Sequence, residues 1–235
     1  MDALIVGAAP VYGAEAFYHE LLSGSPLVVA ADAGAEWCVT LGRVPDIAVG
    51  DFDSSSAGAV DRLRDAGASV IEFPASKDAT DLDLALLAAR EAGADSATFT
   101  AAFTARLDHT LAALGTLRDA ADLAGRIVEP GFDAWLLAEG ARESLTLDGR
   151  PGMLVSVIAL ERAEGVCLTG LRYELQEADL DTMSGLGIGN EMVIDVATIR
   201  LRAGALLVVC VGGEAGRALE RGDAVNVSRG RPSRP

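Results

Sequence analysis

Three short segments concentrate side chains that can handle phosphate and a hard cation. The first is Gly50-Asp51-Phe52-Asp53-Ser54. In extended chain Asp51 and Asp53 face the same way. Carboxylates so arranged can hold Mg²⁺, which takes one or two protein carboxylates and leaves its other positions to water and phosphate oxygens. The same residues also suit a solvated turn in which Asp53 or Ser54 caps a helix near Ala57. The second segment, Ser76-Lys77-Asp78-Ala79-Thr80-Asp81-Leu82-Asp83, opens an expected helix over Leu82 to Ala92. Thr80 through Asp83 reads as a capping-box-like start, where the helix dipole favours each acid by about 0.3–1 kcal/mol. Capping leaves Lys77 unexplained, because it is the sole lysine among 19 basic residues. It reads as a point charge for phosphate or substrate. The third segment is Thr104-Ala105-Arg106-Leu107-Asp108-His109-Thr110, with Arg106 as a phosphate fork and Asp108 as an acceptor. His109 reads as a structural hydrogen-bonder, since nothing nearby supplies a nucleophile for it to activate. Two weaker candidates complete the set. Asp32, in Ala31-Asp32-Ala33-Gly34, is a helix cap or a ligand to a hydroxyl or amine. Gly185-Leu186-Gly187-Ile188-Gly189-Asn190-Glu191 is an interstrand loop or a segment whose backbone approaches a ligand closely.

Composition removes several other chemistries. With 35 acids against 19 bases the net charge is −16, which argues against nucleic acid and against anionic membrane surfaces. Lys77 follows serine, so there is no Walker A loop, and G-x-G-x-x-G does not occur where the first strand meets its helix. His19 and His109 are the only histidines, and Cys38, Cys167 and Cys210 are widely spaced without a C-x-x-C. Neither a histidine or cysteine metal site nor a disulfide framework is expected, and the three thiols read as small buried apolar groups. Any metal would be held by oxygen. A nucleophile elbow, G-x-S-x-G, is absent. The longest apolar runs fall well short of the roughly 20 residues of a membrane span. Asp2, Glu15 and Glu20 do not suit a secretory signal. The expectation is a soluble cytoplasmic protein.

The elements that must position these residues are legible as a change of texture along the chain. Up to about residue 130, short apolar runs alternate with helix-length segments: Leu4 to Val6, a helix over Ala14 to Leu22, then Leu27 to Ala31, Ile47 to Gly50, Ser69 to Phe73, Ala97 to Ala101 and Ile127 to Glu129. Such βα repetition predicts a parallel sheet with helices on both faces. The acids Asp32, Asp51, Asp53, Asp78 and Asp81 then stand at successive strand carboxyl ends, where open α/β sheets hold their ligands. After Pro130-Gly131 helical periodicity fades. Runs over Glu143 to Leu147, Met153 to Leu160, Val166 to Leu168, Met192 to Ala197 and Ala205 to Val211, separated by Gly-rich turns, predict a β-sandwich or small barrel. The expected organisation is an α/β domain over 1–132, an all-β domain over 133–227 and a mobile Arg- and Pro-rich tail over 228–235.

In this order the motifs resemble the thiamine pyrophosphokinase (thiamine diphosphokinase) family. The resemblance rests on Ala31-Asp32-Ala33-Gly34-Ala35, Pro45-Asp46-Ile47-Ala48-Val49-Gly50-Asp51-Phe52-Asp53-Ser54, Lys77-Asp78-Ala79-Thr80-Asp81 and Arg106-Leu107-Asp108-His109, with Gly170-Leu171-Arg172-Tyr173 and Gly189-Asn190-Glu191 further on. It implies an N-terminal Rossmann-like parallel-sheet domain, a C-terminal all-β sandwich, and a homodimer with its sites between subunits. It also implies Mg²⁺-dependent transfer of pyrophosphate from ATP to the thiamine hydroxyl, giving thiamine diphosphate and AMP. By family position Asp51, Asp53 and Asp81 hold Mg²⁺, and Lys77, Asp78 and Thr80 line the same pocket. Arg106 and Asp108 place ATP, Asp32 lies with the cofactor, and Gly189 and Asn190 approach thiamine. The chain departs from the pattern at Thr104 and Ala105, where two glycines are usual, and at Gly189, where serine is usual. A pyrophosphokinase for another hydroxymethyl heterocycle, such as a pterin alcohol, and a non-catalytic nucleotide- or thiamine diphosphate-binding protein are the alternative readings.

Overall fold

The computed structural model describes residues 1–53, 55–74, 78–104 and 106–211. The chain divides into two compact units, Met1–Pro130 and Gly131–Pro235. Lys77, Ser54, Ala105 and the 228–235 stretch lie outside the described residues. The secondary structure is mixed α/β, parallel in the first unit and antiparallel in the second.

The first unit has six strands: β1 (Asp2–Val6), β2 (Leu27–Ala31), β3 (Ile47–Gly50), β4 (Ser69–Glu72), β5 (Ser96–Thr100) and β6 (Arg126–Glu129). They lie in the order β4-β3-β2-β1-β5-β6 and pair in parallel. Parallel neighbours need crossovers, and five helices supply them: α1 (Glu15–Gly24), α2 (Gly34–Thr40), α3 (Ala59–Asp65), α4 (Asp81–Glu91) and α5 (Leu107–Asp119). Strand order advances from β1 to β4, then returns to the far side of β1 for β5. A right-handed crossover that reverses direction must use the opposite face. Accordingly, Leu4, Val6, Val28, Ala30 and Ala48 share a core with Tyr18 and Leu22 of α1 and Cys38 of α2, whereas α4 packs across β1, β2 and β3. Covered on both faces, β2 is buried at all five residues. This is why it reads as an unbroken apolar run rather than an alternation.

The sequence-based bounds hold for β2 and β3 and shift by one or two residues elsewhere. Two expectations are corrected. The helix near Ala57 starts at Ala59, and its N-cap is left-handed Gly58 with no side-chain bond, so Asp53 does not cap it. The thiols are not all buried. Cys38 and Cys210 are, while half-buried Cys167 donates to the Glu177 carboxylate at 3.1 Å.

The second unit contains β7 (Phe132–Ala138), β8 (Ser144–Asp148), β9 (Leu154–Thr169), β10 (Leu175–Leu180), β11 (Asn190–Glu191), β12 (Val196–Arg200) and β13 (Ala203–Val211). The first part of β9 pairs with β13 and β11, and its last part pairs with β12 and β10. Two sets of strands therefore share β9 and one apolar core around Trp135, Leu147, Val157, Leu168, Ile199 and Val208. The runs expected as separate strands, Met153 to Leu160 and Val166 to Leu168, form this single strand. The polar stretch between them is bridged because Ala163 stays buried while Arg162 turns outward to Asp179 and Asp181. The run Met192 to Ala197 is not one strand. Met192 is buried, Val193 and Ile194 are exposed, and β12 starts only at Val196. The Gly185 segment is a 3-10 turn over Gly185–Gly187, capped by Ser184 Oγ, which accepts the Leu186 N–H at 3.3 Å. Among the described residues no helix is long and apolar enough to cross a membrane.

Backbone meets backbone where the first unit's strand order reverses. The Gly7 N–H, just after β1, donates to Thr100 O at 2.9 Å. A Cβ at Gly7 would stand 2.4 Å from Ala101 O, and one at Gly34 would stand 2.4 Å from Gly7 O. Gly7→Ala is therefore expected to destabilise the fold by about 1–3 kcal/mol through overpacking. Gly24→Ala, with nothing within 4 Å of the new methyl, should stay within about 0.5 kcal/mol; urea denaturation of the two variants checks the contrast.

Candidate active site

Among the described residues six non-glycine residues have positive φ, and three of them follow strands of the first unit: Asp32 (φ 47) after β2, Phe52 (φ 54) after β3 and Ala101 (φ 48) after β5. A left-handed residue with a side chain costs on the order of 1–3 kcal/mol and persists only where its surroundings enforce it. These three lie along the carboxyl edge of one parallel sheet, the edge at which such sheets bind ligands. From β3 to β5 that edge spans three strand spacings, about 14 Å.

The acidic loops meet there through backbone contacts. The Asp32 N–H donates to Val49 O at 2.7 Å. A Cβ on Gly50 would lie only 3.1 Å from Asp32 Cα, so Asp32 and the Gly50-Asp51 step sit against one another. The Phe73 N–H, just past β4, donates to Gly50 O at 3.0 Å. Beyond Gly50 the chain does not extend. Phe52 is left-handed and buried, and the Asp53 N–H donates to Asp51 Oδ1 at 3.2 Å. Asp51 and Asp53 are thus related by an Asx-type turn rather than by strand alternation, with Asp51 half-buried and Asp53 exposed. A clamp missed at the sequence level holds the next residues. Glu36 of α2 accepts the Ser56 N–H at 3.3 Å and bonds the Ser56 hydroxyl, and Arg62 of α3 reaches Glu36 at 3.3 Å and Ala57 O at 2.7 Å. The Ser56 hydroxyl above all holds the Glu36 carboxyl below its ordinary range. The sequence signal was only an acid in the first turn of α2, which a dipole explains equally well.

At α4 the capping box is formed. The Asp83 N–H donates to Thr80 Oγ1 at 3.2 Å, and Asp83 Oδ2 accepts the Thr80 N–H at 2.9 Å. Asp83 Oδ1 also accepts the Thr116 hydroxyl, which ties α4 to α5. Thr80 is therefore engaged in the cap, with Asp78 exposed and Asp81 half-buried on either side of it. In the third loop the Arg106 N–H donates to Thr104 Oγ1 at 3.0 Å, and the Thr110 hydroxyl donates to Thr104 O at 3.1 Å. A glycine at 104 could not make the first of these bonds. The Arg106 guanidinium forks onto Asp108, Nη2 to Oδ2 at 2.7 Å and Nε to Oδ1 at 3.3 Å. That hydrogen bonding pulls the Asp108 carboxyl down to about 2. His109 is exposed in the first turn of α5.

Gly189 and Asn190 belong to the second unit. Asn190 is buried, its Oδ1 accepts the Tyr173 and Glu191 N–H groups at 3.0 Å each, and its Nδ2 donates to Tyr173 O at 2.8 Å. The amide thus shapes the turn that presents exposed Tyr173. Gly189 has φ 73, and a Cβ there would face open space; a serine would fit sterically but would carry backbone strain. The Gly189 N–H donates to Ser156 Oγ at 3.1 Å, which puts a hydroxyl at this corner from β9 instead. Ser156 could not be singled out from sequence, because only strand pairing brings residues 33 positions apart together.

Among the described residues no group of three or more His, Cys, Asp or Glu side chains lies close enough to hold a metal ion. The Asx-turn pair Asp51 and Asp53 suits Mg²⁺, whose remaining positions go to water and phosphate. Hard carboxylate donors such as these fit that ion better than a transition metal.

Comparison with known proteins gives a consistent picture. Residues 18–128 match the family model described as thiamin pyrophosphokinase, catalytic domain. The chain is 26% identical over 185 residues to thiamine pyrophosphokinase of Bacillus subtilis, covering 78% of this chain and 86% of that one. The crystal structure of thiamin pyrophosphokinase from Geobacillus thermodenitrificans superposes with a TM-score of 0.75 at 28% identity, covering 92% of this chain and 99% of that one. The Bacillus subtilis crystal structure superposes with a TM-score of 0.77 at 24% identity over 90% and 99% of the two chains, a likeness of fold. The resemblance carried by the motifs thus extends to a family model, to aligned sequence and to fold.

The Arg106–Asp108 fork is open to test in the ligand-free protein. A depressed carboxylate contributes its stabilisation above the ordinary pKa and loses it as pH falls through the folded value, here about 2. Carboxyl NMR titration should place the Asp108 midpoint there, and Arg106→Ala should raise it toward the ordinary aspartate range.

Proposed function

We propose that this chain, which resembles the thiamine pyrophosphokinases in family model, sequence and fold, transfers a pyrophosphoryl group from ATP to the hydroxyl of thiamine. The observation that carries this reading is the gathering of left-handed, acid-bearing turns along one sheet edge, at a reversal of strand order. The acceptor oxygen attacks the β-phosphorus of ATP, the bond from that phosphorus to the bridging oxygen of the α-phosphate breaks, and AMP leaves. The hydroxyl proton is released, and the product is thiamine diphosphate. Such a displacement asks the protein for positioning and charge neutralisation rather than for a covalent intermediate.

Asp51 and Asp53 would hold Mg²⁺, which supplies positive charge to the polyphosphate when bound, and Asp81, which does not cluster with them in the ligand-free chain, would join them as the ion and its phosphates bind. Asp32, packed against Gly50, would flank that site, with Asp78 and Thr80 lining the same pocket. Thr80 would act through the cap it forms at α4. Arg106 would exchange its fork on Asp108 for phosphate oxygens, and Asp108 would hold the guanidinium ready in the absence of nucleotide. Gly189, Asn190 and the Tyr173 turn would face thiamine. A net charge of −16 favours a cationic thiazolium and disfavours anions unless a cation accompanies them.

We further read the first unit as a Rossmann-like nucleotide-handling domain and the second as a β-sandwich, in a cytoplasmic homodimer. The parallel order of β1 to β6 and the sharing of β9 between two strand sets support the former. Exposed Met183, Leu186, Ile188, Val193 and Ile194 in the second unit support the dimer, since apolar residues gathered in one segment mark contact surfaces.

Purified protein given ATP, Mg²⁺ and thiamine should form AMP and thiamine diphosphate one-to-one. AMP formed only with a hydroxymethylpterin would move the reading to a related pyrophosphokinase. No AMP with either acceptor would leave a binding protein. Asp51→Asn and Asp53→Asn should each lower turnover at least about 100-fold, the scale of lost transition-state electrostatics, with unchanged circular dichroism; full activity in both would remove this metal site.

A further inference from the structure

One half-buried acid in the first unit takes no part in the chemistry above. Glu129 ends β6, beside the turn that follows β5. Its Oε2 accepts the Tyr18 hydroxyl of α1 at 2.9 Å, and its Oε1 accepts the Ala102 N–H at 3.1 Å. The same turn is held from the other side, where Ala101 O accepts the Ala9 N–H at 2.8 Å and Thr100 O accepts the Gly7 N–H at 2.9 Å. Below it, the buried Thr100 hydroxyl donates to Val128 O at 2.7 Å. Left-handed Ala101 is thus fixed between β1 and β6.

Burial pushes the Glu129 carboxyl and the Tyr18 hydroxyl above their ordinary values, and Glu129 adds to the Tyr18 shift. Placing a carboxylate where burial disfavours its charge is costly. That cost is met where a strained turn needs an acceptor that the backbone does not supply. Two residues beyond Ala102 the chain reaches Thr104, whose hydroxyl accepts the Arg106 N–H. The path from Glu129 to Arg106 therefore runs through the Ala102–Thr104 backbone and the Thr104 hydroxyl.

We propose that Glu129, oriented by the Tyr18 hydroxyl, is a positioning residue for ATP: by holding the Ala102 N–H it keeps the Ala101–Ala102 turn in the shape that sets Thr104 and Arg106 against the polyphosphate. This inference rests on the proposed role of the Arg106 loop. It differs from plain fold support in a specific way. Loss of Glu129 weakens nucleotide binding and leaves Gly189 and Asn190, the residues proposed to face thiamine, as they were. In Glu129→Gln the side-chain carbonyl oxygen would still accept the Ala102 N–H, and the amide would donate to the Tyr18 oxygen.

The test uses the full chain and reads ATP affinity by calorimetry together with KM for each substrate. Because small misplacements near reacting groups carry large penalties, Glu129→Ala should weaken ATP binding and raise KM for ATP about tenfold, with KM for thiamine within about twofold. Glu129→Gln should recover most of the loss, and Tyr18→Phe, the variant to rely on if Glu129→Ala does not fold, should raise KM for ATP about threefold with thiamine unaffected. Unchanged ATP binding in Glu129→Ala or Tyr18→Phe, equal losses in the Ala and Gln variants, or a parallel rise in both KM values would overturn the inference. Wild-type protein that binds ATP through a Glu129-dependent site, yet makes no thiamine diphosphate, would retain it and sink the proposed reaction instead. Wild-type protein that makes thiamine diphosphate while Glu129→Ala binds ATP normally would do the reverse.

Discussion

The first unit depends on a crowding of backbone at one place, where the carboxyl end of β1 meets the turn after β5 and the start of α2. Gly7 and Gly34 are there because a single methyl at either would stand 2.4 Å from a carbonyl oxygen. With no side chain to act as spacer, the neighbouring turns must take shapes that ordinary residues resist, and Asp32 and Ala101 are driven into the left-handed region. The acids are positioned as a consequence. Asp32 is held by its own N–H on Val49 O, and Asp51 follows directly from a Gly50 packed against Asp32. Functional groups on such an edge are fixed by the sheet rather than by the loops that carry them.

Around that constraint the polar side chains form a supporting layer. Glu36 with Ser56 and Arg62 steadies the loop beyond Asp53, Asp83 with Thr80 and Thr116 joins the start of α4 to α5, and Glu129 with Tyr18 fixes the turn beyond β5. Each joins two elements, and each uses an acid whose partners are already in place. In an acidic chain this is how like charges coexist near one edge: those not needed for ligand are satisfied internally, by backbone N–H groups, hydroxyls or arginine. In the second unit Glu174 likewise accepts the Gly170 N–H, and the Asn190 amide bonds the backbone of Tyr173 and Glu191.

Thr104 and Gly189, which depart from the pattern of the resembling family, are each accounted for by local geometry. Thr104 supplies the hydroxyl that closes its loop onto the Arg106 N–H. Gly189 takes a positive φ, and Ser156 brings a hydroxyl to its N–H from a neighbouring strand. Ala105 lies outside the described residues.

Much of this was legible in sequence, for physical reasons that differ from element to element. Buried parallel strands such as Leu27–Ala31 declare themselves as apolar runs because both faces are covered, and the Thr80 cap declares itself because capping is local chemistry within four residues. The spacing of Asp51, Asp53, Asp81, Arg106 and Asp108 was likewise enough to raise the resemblance. What sequence left open was whatever depends on a partner distant along the chain. The Asx-type turn at Asp51 replaces strand alternation because left-handed Phe52 is buried in the core with α1 and α2. β9 runs through its polar middle because Arg162 finds Asp179 and Asp181 on the chain that folds back. β10 is not among the runs expected from sequence, and only its pairing with β9 identifies it. Glu129, an acid at a strand end like Asp32, carries no mark in the sequence to set it apart. Only the tertiary structure shows that its carboxylate turns inward to Tyr18 and Ala102, since burial and hydrogen-bond partners are properties of packing rather than of residue type.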